Sequence, residues 1–212
     1  MIIIKKFVFN SFMVNSYILY DETGECILID AACYEPAEQQ EIRSFISDHN
    51  LTLVRNLNTH CHIDHVLGNN FIAQVYGIHP EYHENSVPFF HTLKEISSSF
   101  GYVLTQIPEP KRFLDDGETI RWGKSALKVL YTPGHAEGSV CFYNEDQGFV
   151  ITGDVLFKDT IGRTDLPSGD FNQLMNSIKT KLFTLPADTI IYPGHGPETS
   201  IGYEMENNPF IR

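Results

Sequence analysis

Four residues able to bind a metal fall within six positions in Thr59-His60-Cys61-His62-Ile63-Asp64-His65, a His-x-His-x-Asp-His pattern. One divalent ion takes three or four protein ligands, and imidazole with carboxylate suits zinc, iron or manganese. A cluster this dense on one turn can serve two adjacent ions if other segments converge on it. It therefore constrains the fold: the turn must sit at an edge that several chain segments reach.

The surrounding pattern supplies such an edge. Residues 51–57 read as a strand, and the cluster follows its C-terminal end, where α/β folds commonly place their chemistry. Residues 2–9, 16–20 and 26–29 read as strands, with Asp21-Glu22-Thr23-Gly24 as a hairpin turn. Pro36 opens a helix to about His49, apolar at Ile42, Phe45 and Ile46. Residues 66–76 read as another helix, which puts His65 near its N-terminus. An insertion or flap is expected over residues 79–112, with a helical stretch at 90–100. The β pattern resumes at 118–122, 126–131, 139–143 and 148–152, followed by a helix at 171–183 and a strand at 189–192. Strand runs separated by helices predict an α/β (α+β) chain with two packed sheets and helices outside. One domain is expected over residues 1–212.

Three further candidates sit at the ends of such strands, each after a glycine: His135 after Thr132-Pro133-Gly134, Asp154 after Thr152-Gly153, and His195 after Tyr192-Pro193-Gly194. Pro and Gly there make tight turns that aim the next side chain from the sheet edge. The ligand count then closes. His60, His62 and His135 suit one ion; Asp64, His65 and His195 suit a second; Asp154 can bridge both with its two oxygens. An open position completed by water marks a catalytic site. Asp64 and Asp154 are the expected catalytic carboxylates. Asp30, at a strand end, is a candidate to orient a ligand histidine. Cys61 is read as a packed thiol, and His49, His79, His83 and His91 as non-ligands. Arg163 and Asp165 lie on a loop just past Asp154 and are the candidate substrate contacts.

Charge and cysteine usage exclude other classes. The formal net charge is −12 without any Lys/Arg cluster, which argues against a nucleic-acid partner. The apolar run at the N-terminus meets Lys5 and Lys6 at once. It is too short for a signal-peptide core or a membrane span. Four irregularly spaced cysteines read as thiols in a reducing compartment. A cytoplasmic enzyme acting on a small molecule is expected, with no reading of its oligomeric state.

Residues 59–68, 132–135, 152–165 and 192–197 resemble, in order, the motifs of the metallo-β-lactamase fold superfamily. They are most similar to its glyoxalase II-like (hydroxyacylglutathione hydrolase-like) branch. The resemblance spans nearly the whole chain. It implies an αββα four-layer sandwich and a dinuclear site, zinc foremost with iron or manganese as alternatives, built from the residues named above. It also implies hydrolysis of a thioester such as S-D-lactoylglutathione by a metal-bridging hydroxide. Larger glyoxalase II enzymes carry a C-terminal helical domain, whereas this sequence ends about 17 residues after His195. They also have Gly-Lys-Phe-Tyr where Gly162-Arg163-Thr164-Asp165 stands here. The ending Gly194-His195-Gly196-Pro197-Glu198-Thr199, with Asn208-Pro209-Phe210, is similar to a compact bacterial subgroup. Persulfide dioxygenases share the fold, and Asn58-Thr59-His60-Cys61-His62 and Gly162-Arg163-Thr164-Asp165 look like theirs. That alternative implies one iron held by His60, His135 and Asp154. Exported β-lactamases are a more remote expectation because no leader pattern is seen.

Overall fold

The computed structural model describes residues 1–211. Among these the elements run β1 Ile3–Phe9, β2 Val14–Tyr20, β3 Glu25–Ile29, α1 Pro36–Asp48, β4 Thr52–Leu57, α2 Ile63–Val66, α3 Asn69–Tyr76, β5 Pro80–Tyr82, α4 Val87–Ser99 and β6 Arg112–Phe113. They continue with β7 Thr119–Trp122, β8 Ser125–Tyr131, β9 Val140–Asn144, β10 Phe149–Gly153, β11 Leu156–Phe157, β12 Thr160–Ile161, α5 Phe171–Ser177, β13 Ile190–Pro193, β14 Thr199–Ser200 and α6 Ile201–Asn207. Six strands form a first sheet in the order β1-β2-β3-β4-β5-β6, and six a second in the order β14-β13-β10-β9-β8-β7.

Side-chain alternation explains the layering. Tyr17, Leu19, Ile27, Ile29 and Leu57 of the first sheet pack against Ile120, Leu127, Val129, Phe142 and Ile151 of the second. The opposite face of the first sheet, with Ile18 and Leu28, buries Ile42 and Ile46 of α1 and Phe71 and Ile72 of α3. Val150 and Ile191 on the outer face of the second sheet bury Leu174 of α5 and Ile201 of α6. Each sheet is thus covered on both faces, which is why β2 is buried along nearly its whole length. The layers are α/β/β/α, as the sequence implied.

Two local readings change. The helix expected over 66–76 is two pieces, α2 and α3, separated at Leu67-Gly68, so His65 lies inside α2. Gly68 donates its N–H to Ala31 O at 2.7 Å, and a Cβ there would fall 2.7 Å from Cys33 O. The chain bends to keep that contact. The range 79–112 is bounded by strands of the first sheet, β5 and β6, which pair in parallel. What stands apart from the sheet is the segment between them, with α4. β11, β12, β14 and α6 are short elements that carry no clear period in the sequence. No helix of the described residues is long and apolar enough to cross a membrane.

Asp21 joins the two sheets at one edge. Its Oδ1 accepts from Thr23 N and Oγ1, at 3.0 and 2.5 Å. Its Oδ2 accepts from Lys124 N and Ser125 Oγ in the β7–β8 turn, at 2.8 and 2.6 Å. Burial raises the carboxyl pKa, but the bonds from Ser125, Thr23 and Lys124 outweigh it and hold the group far below its usual range. A carboxylate depressed in the folded state stabilises above its unfolded pKa of about 3.9, and this stabilisation fades as pH falls toward the folded value. Asp21→Ala is expected to cost about 2–3 kcal/mol at pH 7 by leaving donors unpaired. Urea unfolding at pH 7 and at pH 2–3 should show the gap between variant and wild type narrowing in acid.

Candidate metal centre

β4, β8, β10 and β13 end at one rim. His60 follows β4, His135 follows β8, Asp154 follows β10 and His195 follows β13, while His62, Asp64 and His65 lie at and within α2. The rings of His60 and His62 lie 4.7 Å apart, those of His62 and His135 4.6 Å, and those of His60 and His65 4.2 Å. His195 Nε2 stands 3.3 Å from Asp64 Oδ2 and 3.4 Å from Asp154 Oδ2. The potential ligand atoms form three overlapping groups: His60, His62 and His135; His60, His65 and Asp154; and Asp64, His65 and His195. Within each group the atoms lie within 4.8 Å of one another. All seven sequence candidates therefore meet at one place. Two glycines make the approach possible: a Cβ on Gly194 would fall 2.2 Å from Asp154 Oδ1, and one on Gly153, at φ +50°, 2.4 Å from Thr59 Oγ1.

The ring tethers decide which nitrogen is free. His65 Nδ1 donates to Asp30 Oδ2 at 2.9 Å, His135 Nδ1 to Arg163 O at 2.8 Å, and His195 Nδ1 to Phe12 O at 3.0 Å. Thr59 Oγ1, which donates to Asp30 Oδ2 at 2.8 Å, accepts from His60 Nδ1 at 3.1 Å. A proton fixed on Nδ1 leaves a lone pair on Nε2, and such outer partners are how metal-binding histidines are oriented. The Nε2 atoms of His60, His62, His65 and His135 and Oδ1 of Asp154 are buried without a hydrogen-bond partner. Orphaned acceptors converging on one point are costly unless something binds them. The donor set fits divalent metal.

Electrostatics divides the imidazoles. Burial, reinforced by neighbouring rings, holds His60 well below its ordinary value, and burial pushes His62 down to about 3 and lowers His135. Burial also works against charge on His65, but Asp154, Asp64 and Asp30 outweigh it and raise that ring. For His195 the bonds to Asp154 and Asp64 overcome burial and lift it to about 9. Asp64 and Asp154 are correspondingly lowered by His65 and His195, against burial.

Family comparison decides the class of this arrangement. The pattern described as the metallo-beta-lactamase superfamily matches residues 10–195, which include every candidate ligand. The chain belongs to that superfamily. Within it, the chain is 36% identical over 199 residues to the probable metallo-hydrolase YqgX of Bacillus subtilis (strain 168), covering 93% of this chain and 92% of that one. It is 34% identical over 207 residues to hydroxyacylglutathione hydrolase GloC of Haemophilus influenzae, covering 95% and 94%. The solved BLEG-1 B3 metallo-beta-lactamase superposes with a TM-score of 0.87 at 31% identity, over 99% of each chain. TTHA1623, solved in a di-iron-bound form, gives 0.86 at 30%, over 97% of this chain and 99% of that one. The protein is a metallo-hydrolase of the superfamily with a divalent-metal site.

Other residues of this superfamily member fall where the rim needs support. Asp30, in the left-handed region at φ +54°, accepts from Thr59 N at 2.7 Å and Thr59 Oγ1 as well as from His65. Asp30→Ala is expected to weaken divalent-metal binding about 10–100-fold. It should also cost about 1–3 kcal/mol of stability, since buried donors lose their acceptor. Competition against a chromophoric chelator and urea unfolding measure the two effects.

An amide ladder that no sequence motif marks joins the same region. Asn56 donates to Asn69, Asn69 to Asn58, and Asn58 to the carbonyl of His65, at 2.9, 2.9 and 3.2 Å. It fixes α2 and α3 to β4. The only signal was Asn58 beside the cluster. Phe89 of α4 lies 5.2 Å from the His62 ring and Phe157 lies 6.2 Å from His195, giving the rim apolar walls. Arg163 and Asp165 form an exposed two-point ion pair. Cys61 is buried among Ile63, Val66 and Leu93 and joins none of the three ligand groups. His49 bonds Phe45 O, His79 bonds Glu109 O and His83 stacks on Tyr131; none joins the three groups.

Proposed function

We propose that the chain hydrolyses a small-molecule thioester, a hydroxyacylglutathione or a related thiol ester, at a centre of two divalent ions. The observation that carries the two-ion reading is the placement of Asp154. Its Oδ1 stands 3.3 Å from His65 Nε2, while Oδ2 stands 3.7 Å from His135 Nε2 and 3.4 Å from His195 Nε2. One carboxylate faces both imidazole sets, as a bridging ligand must. His60, His62 and His135 would then hold one ion and Asp64, His65 and His195 the other. The name of the Haemophilus influenzae relative supports the thioester, and the di-iron-bound neighbour supports iron beside zinc as the occupant.

Bound divalent ions supply polarisation of a carbonyl and lower the pKa of water toward neutrality. The chain's own residues do the rest. Asp64 and Asp154 provide the negative charge that favours divalent cations, and their neighbouring imidazoles are held in fixed orientations by Asp30, Phe12 O and Arg163 O. Phe89 and Phe157 exclude water on two sides and suit an acyl chain. A thiolate leaves without a dedicated acid. Arg163 and Asp165 contact the substrate, with the exposed guanidinium exchanging Asp165 for a substrate carboxylate. The four cysteines are free and buried, which fits a reducing, cytoplasmic setting.

The test is purified protein of measured metal content, offered three substrates. S-D-lactoylglutathione is followed by thiol release, glutathione persulfide by oxygen uptake, and a chromogenic β-lactam by ring opening. Thiol release with two ions per chain is the expected result. Oxygen uptake with a single iron on His60, His135 and Asp154 would replace the reading by a dioxygenase. Preferred turnover of the β-lactam would replace the substrate class.

A further inference from the structure

The turn between β1 and β2, residues 10–13, and the start of β2 hold two members of one ligand group by hydrogen bonds. Asn10 and Met13 adopt left-handed backbone, φ 53° and 61°, which folds the turn back over the rim. From there the Asn10 side-chain amide donates to the carbonyl of Asp64 at 3.0 Å and to that of Ala32 at 3.1 Å. The carbonyl of Phe12 accepts from His195 Nδ1. Asn15, 1% exposed, reaches from the first sheet to the second. Its backbone N–H donates to Gly194 O at 2.7 Å, and its side-chain amide donates to Pro193 O and Gly196 O, both at 2.9 Å. The Tyr17 hydroxyl adds a bond to Pro193 O at 2.7 Å. The turn carrying His195 is thus held on both sides of that histidine by a strand of the opposite sheet. Among the described residues, no hydrogen bond from residues 10–17 reaches His60, His62 or His135.

We infer that Asn10 and Asn15 are positioning residues for the Asp64/His65/His195 group, so that affinity for the second ion is set by the first hairpin while affinity for the first ion is not. The inference rests on the two-ion reading above. The physical reason is that His195 is far more exposed than the other tethered rings, its side chain 28% accessible against 3% for His135 and 0% for His65. Packing alone does not orient it, so its direction depends on its tethers. A ligand freed to rotate must be ordered again by the ion, which weakens binding at that position alone.

The test measures stepwise Zn2+ binding by chelator competition, with total metal per chain, on wild type, Asn10→Ala, Asn15→Ala and Gln147→Ala. Gln147 holds Ile2 at the far end of the same hairpin, accepting from its N–H and donating to its carbonyl. Its variant therefore loosens the hairpin without touching the rim. The expected result is a second Zn2+ weakened about 10–100-fold in Asn10→Ala and Asn15→Ala, with the first constant within about twofold of wild type and both constants unchanged in Gln147→Ala. Asn10 lies at a surface turn, so its variant carries the test if Asn15→Ala does not fold. Parallel loss of both ions, unchanged constants, or an equal loss in Gln147→Ala overturns the inference and leaves the two-ion reading standing. A single Zn2+ in wild type overturns the two-ion reading and the inference with it.

Discussion

Asp154→Ala is expected to lower kcat/KM for the thioester roughly a thousandfold or more, about 4 kcal/mol of transition-state stabilisation. The effect is large because this side chain faces His65 through one oxygen and His135 and His195 through the other, so on the two-ion proposal its loss would weaken both positions together. Asp154 Oδ1 accepts no hydrogen bond from the protein. Removing the carboxylate therefore strands few donors, and far-UV circular dichroism should be close to wild type. Asp154→Asn keeps the shape and removes the charge, and an equal loss of metal there would assign the effect to charge rather than packing. An Asp154→Ala protein retaining a tenth of wild-type activity would sink the bridging role.

Stripping metal with a chelator is expected to abolish turnover, with recovery on adding Zn2+ or Fe2+. It should also destabilise the fold. An ion present at about 100 times its Kd contributes roughly 2.7 kcal/mol, which for a chain of this size is about 5–10 °C in melting temperature. The two ligand sets should differ in pH dependence. Burial keeps His60, His62 and His135 neutral at pH 7, so an ion there displaces no proton. Neighbouring carboxylates raise His65 and lift His195 to about 9, so an ion binding there displaces protons from that group. Affinity at the Asp64/His65/His195 group should therefore rise as pH goes from 6 to 9, while the other stays flat. Chelator competition across that range measures it, and two ions with the same pH slope would contradict the division.

Much of the rim was legible because its turns are written in residue type. Pro133-Gly134, Gly153 and Pro193-Gly194 each precede a ligand candidate, and each glycine is needed where backbone passes within a Cβ's reach of a neighbour. The strands were legible where apolar runs or alternation are strong, as in β2, β8 and β10. The break between α2 and α3 was not, since Gly68 is required by the approach of the 31–33 segment, a contact between chain positions far apart in sequence. The segment between β5 and β6 was poorly read because β5 and β6 are short, with three and two residues, and their pairing rather than their composition makes them strands.

By itself the sequence determined the donor set, the layer count and the chemistry class. These follow from residue identity and periodicity, which are local properties of the chain. The tertiary structure decided which ligand atoms come within 4.8 Å of one another, which ring nitrogen each tether leaves free, and what holds each ring. Those depend on hydrogen bonds that Asp30, Phe12 O and Arg163 O accept, and that Asn15 donates, across 28 to 183 positions of chain. No spacing rule along the chain encodes such contacts, because only the packing of one sheet on the other brings them within reach.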